Sequence, residues 1–343
     1  MRPTAFHEAP SWAGRPVTEE VLGGPLTWQA AQAFAADGAL VTVPAALRRR
    51  AAAFDQLLIE RGLGGHLLQR GAELRGAITL VESAPPADAD SSSVAAAGVG
   101  TVHLVGGGPG DPALLTHAAS TAIAHADVIF TDRLGIGERV CALAPGASIV
   151  DVGKRPGQHR VTQEDTNEHL HALACAGADV VRLKGGDVAV FGRGGEEWRF
   201  LADRGIPVQV IPGITSALAL PLHAGISVTH REHSRAVTII SGHDPISPEE
   251  ALSLVTLGGT VVILMGVRTL SDTVRSLRAA GMHEQTPLAI IENGCAPDER
   301  HTISTLASAV ADASARSIRN PAVIILGDVV GIRQVMPDPA PAD

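Results

Sequence analysis

Between residues 101 and 330, short β-branched runs alternate with stretches of helical periodicity, and this alternation constrains the fold more than any other feature. Strands are expected at 101–105, 127–131, 148–152, 179–183 and 208–211, with a second series at 236–241, 260–265, 287–292 and 322–327. After the first strand, Leu114, Leu115, Ala118, Ala122, Ile123 and Ala126 mark one helical face, with Asp111 as N-cap and Pro112 in the first turn. Two such series predict two α/β domains with largely parallel sheets, divided near 212–216 and bounded at 100–214 and 215–331.

The flanks are less regular. Residues 83–99 are rich in Ala, Ser, Pro and Asp and read as a linker; 332–343 read as a tail. Within 1–82, helices are expected at 26–37 and 47–61 and a strand at 77–81, but no glycine-rich nucleotide loop occurs and the sequence assigns this extension no role. No apolar run reaches the roughly 18 residues of a membrane span. The start of the chain lacks the apolar core of a secretion signal. Cys141, Cys175 and Cys295 are scattered, as reduced thiols of a cytoplasmic protein would be. His169 and His171 lie two apart on an expected helix and face different ways, so they read as surface histidines, and no metal site is expected. A net charge of −9 argues against a nucleic-acid partner but not against a small anionic one.

Two glycine-rich segments follow expected strands. In 106–111, Gly106, Gly108 and Gly110 allow the backbone to approach a ligand closely. A dinucleotide loop fails there because Asp111 stands where its third glycine belongs, and a carboxylate would oppose a pyrophosphate. The second segment runs from Lys184 through Gly185, Gly186 and Asp187 to a further glycine cluster around Arg193. Ligands of α/β sheets sit beyond the carboxyl ends of strands, where both segments fall. Basic and polar groups collect at Asp132-Arg133, at 153–160 with Lys154 and Arg155, at Arg193, and at 229–231 with Arg231. Arginine in such loops suits carboxylates. The chain has only two lysines, Lys154 and Lys184, and each adjoins one of these motifs.

The motifs GxGPGD, DRL, GKRxGxH, VVRLKGGD, FGRGGEE, PGITSA, AGIxxTHR, MGV and ENG, in this order over about 101–330, resemble the tetrapyrrole methylases. GKRxGxH and FGRGGEE point to the branch that methylates uroporphyrinogen III rather than to later precorrin methylases. The resemblance implies two α/β domains with a site in the cleft between them, and S-adenosyl-L-methionine as methyl donor, leaving S-adenosyl-L-homocysteine. It implies uroporphyrinogen III as substrate, methylated at carbons 2 and 7 to precorrin-2, and a homodimer. The alternatives of the same fold are another precorrin methylase and a non-catalytic binding homologue. Residue by residue, the family's cofactor contacts fall on Pro109, Gly185, Gly186, Asp187, Val190, Thr215, Ser216, Met265 and Gly294. Its acid and base roles fall on Asp132 and Lys154, while Arg133, Arg155, Arg193 and Arg231 would meet substrate carboxylates. The chain departs from the pattern by lacking aromatic surface: Thr131 precedes the DRL aspartate, Val188-Ala189 follow Asp187, Leu264 precedes Met265, and Ser227-Val228 precede Thr229.

Overall fold

The computed structural model describes residues 16–17, 40–41, 45–69, 98–132, 134–144, 146–153 and 161–333. The strands are β1 (Pro16–Val17), β2 (Leu40–Val41), β3 (Leu67–Gln69), β4 (Val102–Gly106), β5 (Val128–Thr131), β6 (Ser148–Asp151), β7 (Val180–Lys184) and β8 (Val208–Ile211). They continue as β9 (Val237–Ser241), β10 (Thr260–Leu264), β11 (Pro287–Glu292), β12 (Arg300–Thr305) and β13 (Ala322–Leu326). The helices are α1 (Ala45–Glu60), α2 (His117–His125), α3 (Val140–Leu143), α4 (Gln163–Cys175) and α5 (Gly194–Ala202). They are followed by α6 (Ser216–His223), α7 (Pro248–Leu257), α8 (Leu270–Ala279) and α9 (Ala309–Ala315). None of these is long and apolar enough to cross a membrane. The strand and helix expected at 77–81 and 26–37 lie outside the described residues.

One sheet runs β3-β6-β5-β7-β4-β8 and the other β12-β11-β13-β10-β9, while β1 and β2 form a separate parallel pair. In the first sheet every pairing is parallel except β3 against β6. In the second, only β9 and β10 are parallel. The expectation of parallel sheets therefore holds for the first half and fails for the second. The cause is β12, a strand the sequence analysis did not place. It returns from β11 after a short connection that leaves no room for a helical crossover, so the two pair antiparallel. β13 then inserts between β10 and β11, running against both.

Central strands such as β7 and β13 are buried along their whole length, because helices cover both faces of each sheet. On one face of the first sheet, Leu104, Phe130 and Val180 pack with Leu170 and Leu173 of α4 and Leu201 of α5. On the other, Val105, Ile129 and Val181 pack with Ile123 of α2 and Val140 of α3. The second sheet repeats the plan, with Leu254, Val274 and Ala309 on one side and Ala217 and Leu220 on the other.

Two local expectations need correction. Asp111 and Pro112 do not open the helix after β4; the Asp111 side chain accepts from the Ala113 amide and caps a single tight turn, Pro112–Leu114. Thr116 then caps α2 by accepting from the Ala119 amide. Two cap-forming residues compete within six positions, and the later one starts the helix. His169, expected at the surface, is half-buried and stacks on Phe130 at 6.5 Å between ring centroids. Burial, then the charge of Arg61, pulls its imidazole below its ordinary value of 6.5.

The segment 45–69 is built into the first half. Phe54, Leu58 and Leu63 are almost fully buried in the same core as Leu104 and Leu170. Ser148 donates to Asp55 at 2.6 Å, and β3 pairs with β6 at the sheet edge. The helix expected at 47–61 is α1, displaced by two residues at its start.

Candidate active site

Glycine loops from both halves meet beyond the carboxyl ends of the strands. The Gly108 amide donates to the Gly186 carbonyl at 3.1 Å, and the Gly186 amide to the Gly108 carbonyl at 2.8 Å, so the loops after β4 and β7 are stitched together. Gly213 joins them: a Cβ there would lie 2.3 Å from the Gly186 oxygen, and one on Gly106 would lie 2.4 Å from the Gly213 nitrogen. Only glycine permits this three-way backbone packing. Asp187 fixes it, accepting from the amides of Ala189 and Gly213 at 2.8 and 2.9 Å. Gly186 in turn sits beside Thr215 and Ser216 at the start of α6, where Thr215 caps the helix.

The second half reaches the same place through the loop after β11. A Cβ on Gly110 would lie 3.5 Å from the Gly294 oxygen and 3.5 Å from the Gly135 oxygen. The structure thus brings together Pro109, Gly185, Gly186, Asp187, Thr215, Ser216 and Gly294. Met265 leaves β10 at the sheet edge from which Gly294 leaves β11, since both strands run against β13. Its φ of +60° is left-handed, a conformation that side-chain-bearing residues seldom hold without a local cause. Val190 is partly buried on the loop after β7. Some of the large apolar side chains that remain exposed, Leu134, Phe191, Ile214 and Met265, follow strand ends.

Beneath this cradle lies a buried ionic network. Strand periodicity places Arg182 and Lys184 on one face of β7. Lys184 donates to Oε1 of Glu197 at 2.9 Å, as do Nε of Arg182 at 3.3 Å and Nε2 of Gln163 at 2.8 Å. Glu197 is fully buried, and its other oxygen, Oε2, has no hydrogen-bond partner among the described residues. Nη2 of Arg182 reaches Oδ2 of Asp132 at 3.5 Å, and Oδ1 of Asp132 accepts from the Leu134 amide at 3.1 Å. Two cations and two carboxylates therefore balance below the site, with only Asp132 partly open to solvent. Burial, then the charge of Arg182, pulls the Lys184 ammonium below its usual value, against the opposing pull of Glu197. The rarity of lysine singles out Lys184 in the sequence, whereas Arg182 and Glu197 take on a role only in the fold. The signal was present: two charges spaced by two in an otherwise apolar strand require a buried counter-charge.

The basic residues divide. Arg193 is held by Glu196 in a bidentate pair, at 2.6 Å for the shortest contact. Arg231 is exposed beside Thr229, His230, Ser234 and Arg235, which line a hollow of about 460 Å³. Arg133, Lys154 and Arg155 lie outside the described residues. A larger hollow of about 760 Å³ lies along edge strand β9, between Phe191, Thr238, Ile240, Glu249 and Leu254, and none of the expected cofactor residues lines it.

A family model for tetrapyrrole (corrin/porphyrin) methylases matches residues 101–310, and the chain belongs to that family. A Methanosarcina barkeri protein named S-adenosyl-L-methionine-dependent uroporphyrinogen III methyltransferase is 46% identical over 241 residues, 69% of this chain and 94% of the relative. The Priestia megaterium uroporphyrinogen-III C-methyltransferase is 42% identical over 235 residues, 68% of this chain and 99% of the relative. Among solved structures, the Thermus thermophilus uroporphyrin-III C-methyl transferase complexed with S-adenosyl homocysteine is 39% identical, with a TM-score of 0.58. That match spans 68% of this chain and all of the other.

Proposed function

We propose that this chain is an S-adenosylmethionine-dependent C-methyltransferase that converts uroporphyrinogen III to precorrin-2, with methylation at carbons 2 and 7, on the route to sirohaem and cobalamin. The observation that carries this reading is the glycine cradle formed by Gly108, Gly186, Gly213 and Gly294, supported by relatives that bear this activity in their names. The residues fit the cofactor: a Cβ at Gly213 or Gly294 would collide with neighbouring segments of the chain, and the backbone at these positions lies close enough to the cleft to meet a ligand directly. When bound, S-adenosylmethionine supplies an electrophilic methyl group on a sulfonium centre.

A porphyrinogen pyrrole carbon is electron-rich and needs little activation. The protein's contribution is alignment, which can lower a barrier by about 7–11 kcal/mol. In this reading Pro109, Gly185, Gly186, Asp187, Val190, Thr215, Ser216, Met265 and Gly294 hold the cofactor, Asp187 by keeping the two first-half loops and Gly213 in register. Asp132 accepts the proton lost from the methylated ring, or offsets its charge. Its tie to Arg182, and through Arg182 to Glu197, fixes where that carboxylate points. Lys154 donates a proton or holds a substrate carboxylate, and Arg133, Arg155, Arg193 and Arg231 meet the others. For Arg193 this requires exchange of its Glu196 partner. The same reading makes the chain a cytoplasmic homodimer with boundaries near 100–214 and 215–331, acting on neither membrane nor nucleic acid.

The test is incubation with enzymatically generated uroporphyrinogen III and methyl-labelled S-adenosylmethionine, followed by mass analysis. Two labelled methyls per tetrapyrrole are expected; none, or a single methyl accepted only by a later precorrin, would overturn the reading. Asp132→Asn and Lys154→Met should each cut turnover by about a hundredfold or more at saturating substrate. Cofactor affinity should remain.

A further inference from the structure

Four side chains converge just beyond Gly294, and the chemistry proposed above uses none of them. His223 ends α6, Cys295 and Glu299 lie on the connection between β11 and β12, and His301 is in β12. No sequence spacing marks them as a group, because the fold brings α6 against this connection. Nδ1 of His223, Sγ of Cys295 and a carboxylate oxygen of Glu299 all lie within 4.8 Å of one another. Nδ1 of His223 is 3.0 Å from both oxygens of Glu299, and Nε2 of His301 is 2.5 Å from Oε1. The Cys295 amide donates to Oε2 at 2.6 Å. The side chain of Glu299 is only 12% exposed.

Hydrogen bonding alone accounts for the imidazoles and the carboxylate, a common surface arrangement. It leaves the thiol unexplained: a half-buried Sγ lies within reach of these donors, with no hydrogen bond to it among the described residues. Burial, then the negative charges of Glu299 and Asp111, pushes that thiol up from its usual value, so the surroundings disfavour a bare thiolate. The same negative surroundings favour a bound cation, and a cation reverses the penalty on the thiolate. One thiolate, two imidazoles and one carboxylate form a mixed soft and borderline set, matching zinc or a similar first-row ion in four-coordinate geometry and unlike the all-oxygen sets of calcium or magnesium.

We propose that His223, Cys295, Glu299 and His301 form a binding site for a divalent transition metal, with zinc as the best fit. Three donors stand close enough to share an ion after small rotations of their side chains. His301, bonded to the same carboxylate, supplies the fourth. An ion here clips the connection after Gly294 to the end of α6.

The test uses the untagged full chain, stripped with a chelator. Zinc is titrated against a chromophoric competitor, and cobalt(II) is added separately as a reporter of thiolate ligation. The expected result is one zinc per chain retained against the competitor and a cobalt–thiolate absorption band. Cys295→Ser should abolish the band, the double substitution Cys141→Ser/Cys175→Ser should leave it, and His223→Ala should weaken zinc by about tenfold or more. Metal-free variants should melt like the parent. If Cys295→Ser does not fold, alkylation of the unaltered protein decides: zinc should protect Cys295 and leave the exposed Cys175 reactive. Failure to retain zinc, a band indifferent to Cys295→Ser, or equal alkylation of both thiols would overturn the proposal.

Discussion

The two halves share a layered plan but differ in what they bury. The first, with its docked segment 45–69, encloses the charged side chains Asp55, Asp151, Arg182, Lys184 and Glu197. The second buries one charge, Glu292, which meets the half-exposed Arg300 and the Arg319 amide. Its other buried polar residues are hydroxyl-bearing, such as Thr260 and Thr269. Enclosed charges cost stability unless each is matched, so a buried network such as Arg182–Glu197–Lys184 is by itself weak evidence of added stability. The first half is thus an electrostatic platform under Asp132, and the second supplies apolar and backbone surface.

The largest effect should come from breaking that contrast at its centre. Glu197→Ala leaves the buried Lys184 without its paired carboxylate and Arg182 with Asp132 alone, and should cost about 3–5 kcal/mol of unfolding free energy. Glu292→Ala, whose partner keeps access to water, should cost clearly less in the same denaturant titration. Equal losses would erase the distinction between the halves. Next comes the docked segment: Leu58→Ala removes a fully buried side chain from the first-half core and should cost about 2–5 kcal/mol. A loss near zero would mean that the segment is not part of that half's folding unit. The smallest effect concerns His169. Its folded value is lowered, so the neutral ring costs nothing at high pH, and the protein loses stability as pH falls below 6.5 towards that lowered value. His169→Leu should flatten the parent's decline in melting temperature between about pH 7 and pH 5, and a parallel decline would exclude this origin.

Much of this was legible in the sequence, for local reasons. β-branched runs such as VVRLK and AVIIL place strands, and a glycine's lack of Cβ can be read without knowing its neighbour. The misses are non-local. β12, Arg300–Thr305, has a single apolar residue, Ile303, and buries only Thr302, so nothing in its own pattern marks a strand until β11 is beside it. β3 is only three residues long and acquires meaning from β6. Glu197 looked like one more charge in a glycine-rich motif, because its partners come from α4 and β7. The departures from the family pattern are partly legible now. Thr131 is buried, and Val188 packs into the core against Gly194 rather than offering a ring to the cleft.

The contact among Gly106, Gly186 and Gly213 has a mechanical consequence. A hinge needs slack, and this crossing has none: main chain touches main chain, and Asp187 anchors the Gly213 amide. Rotation of one half against the other about residue 213 would have to break these contacts first. If the proposed tetrapyrrole binds here, its entry and exit fall to the rim, at Leu134–Gly135, at 189–193 and beyond Gly294, rather than to this seam. If turnover is limited by product departure, substitutions on that rim should govern its rate, while the seam behaves as a fixed pivot.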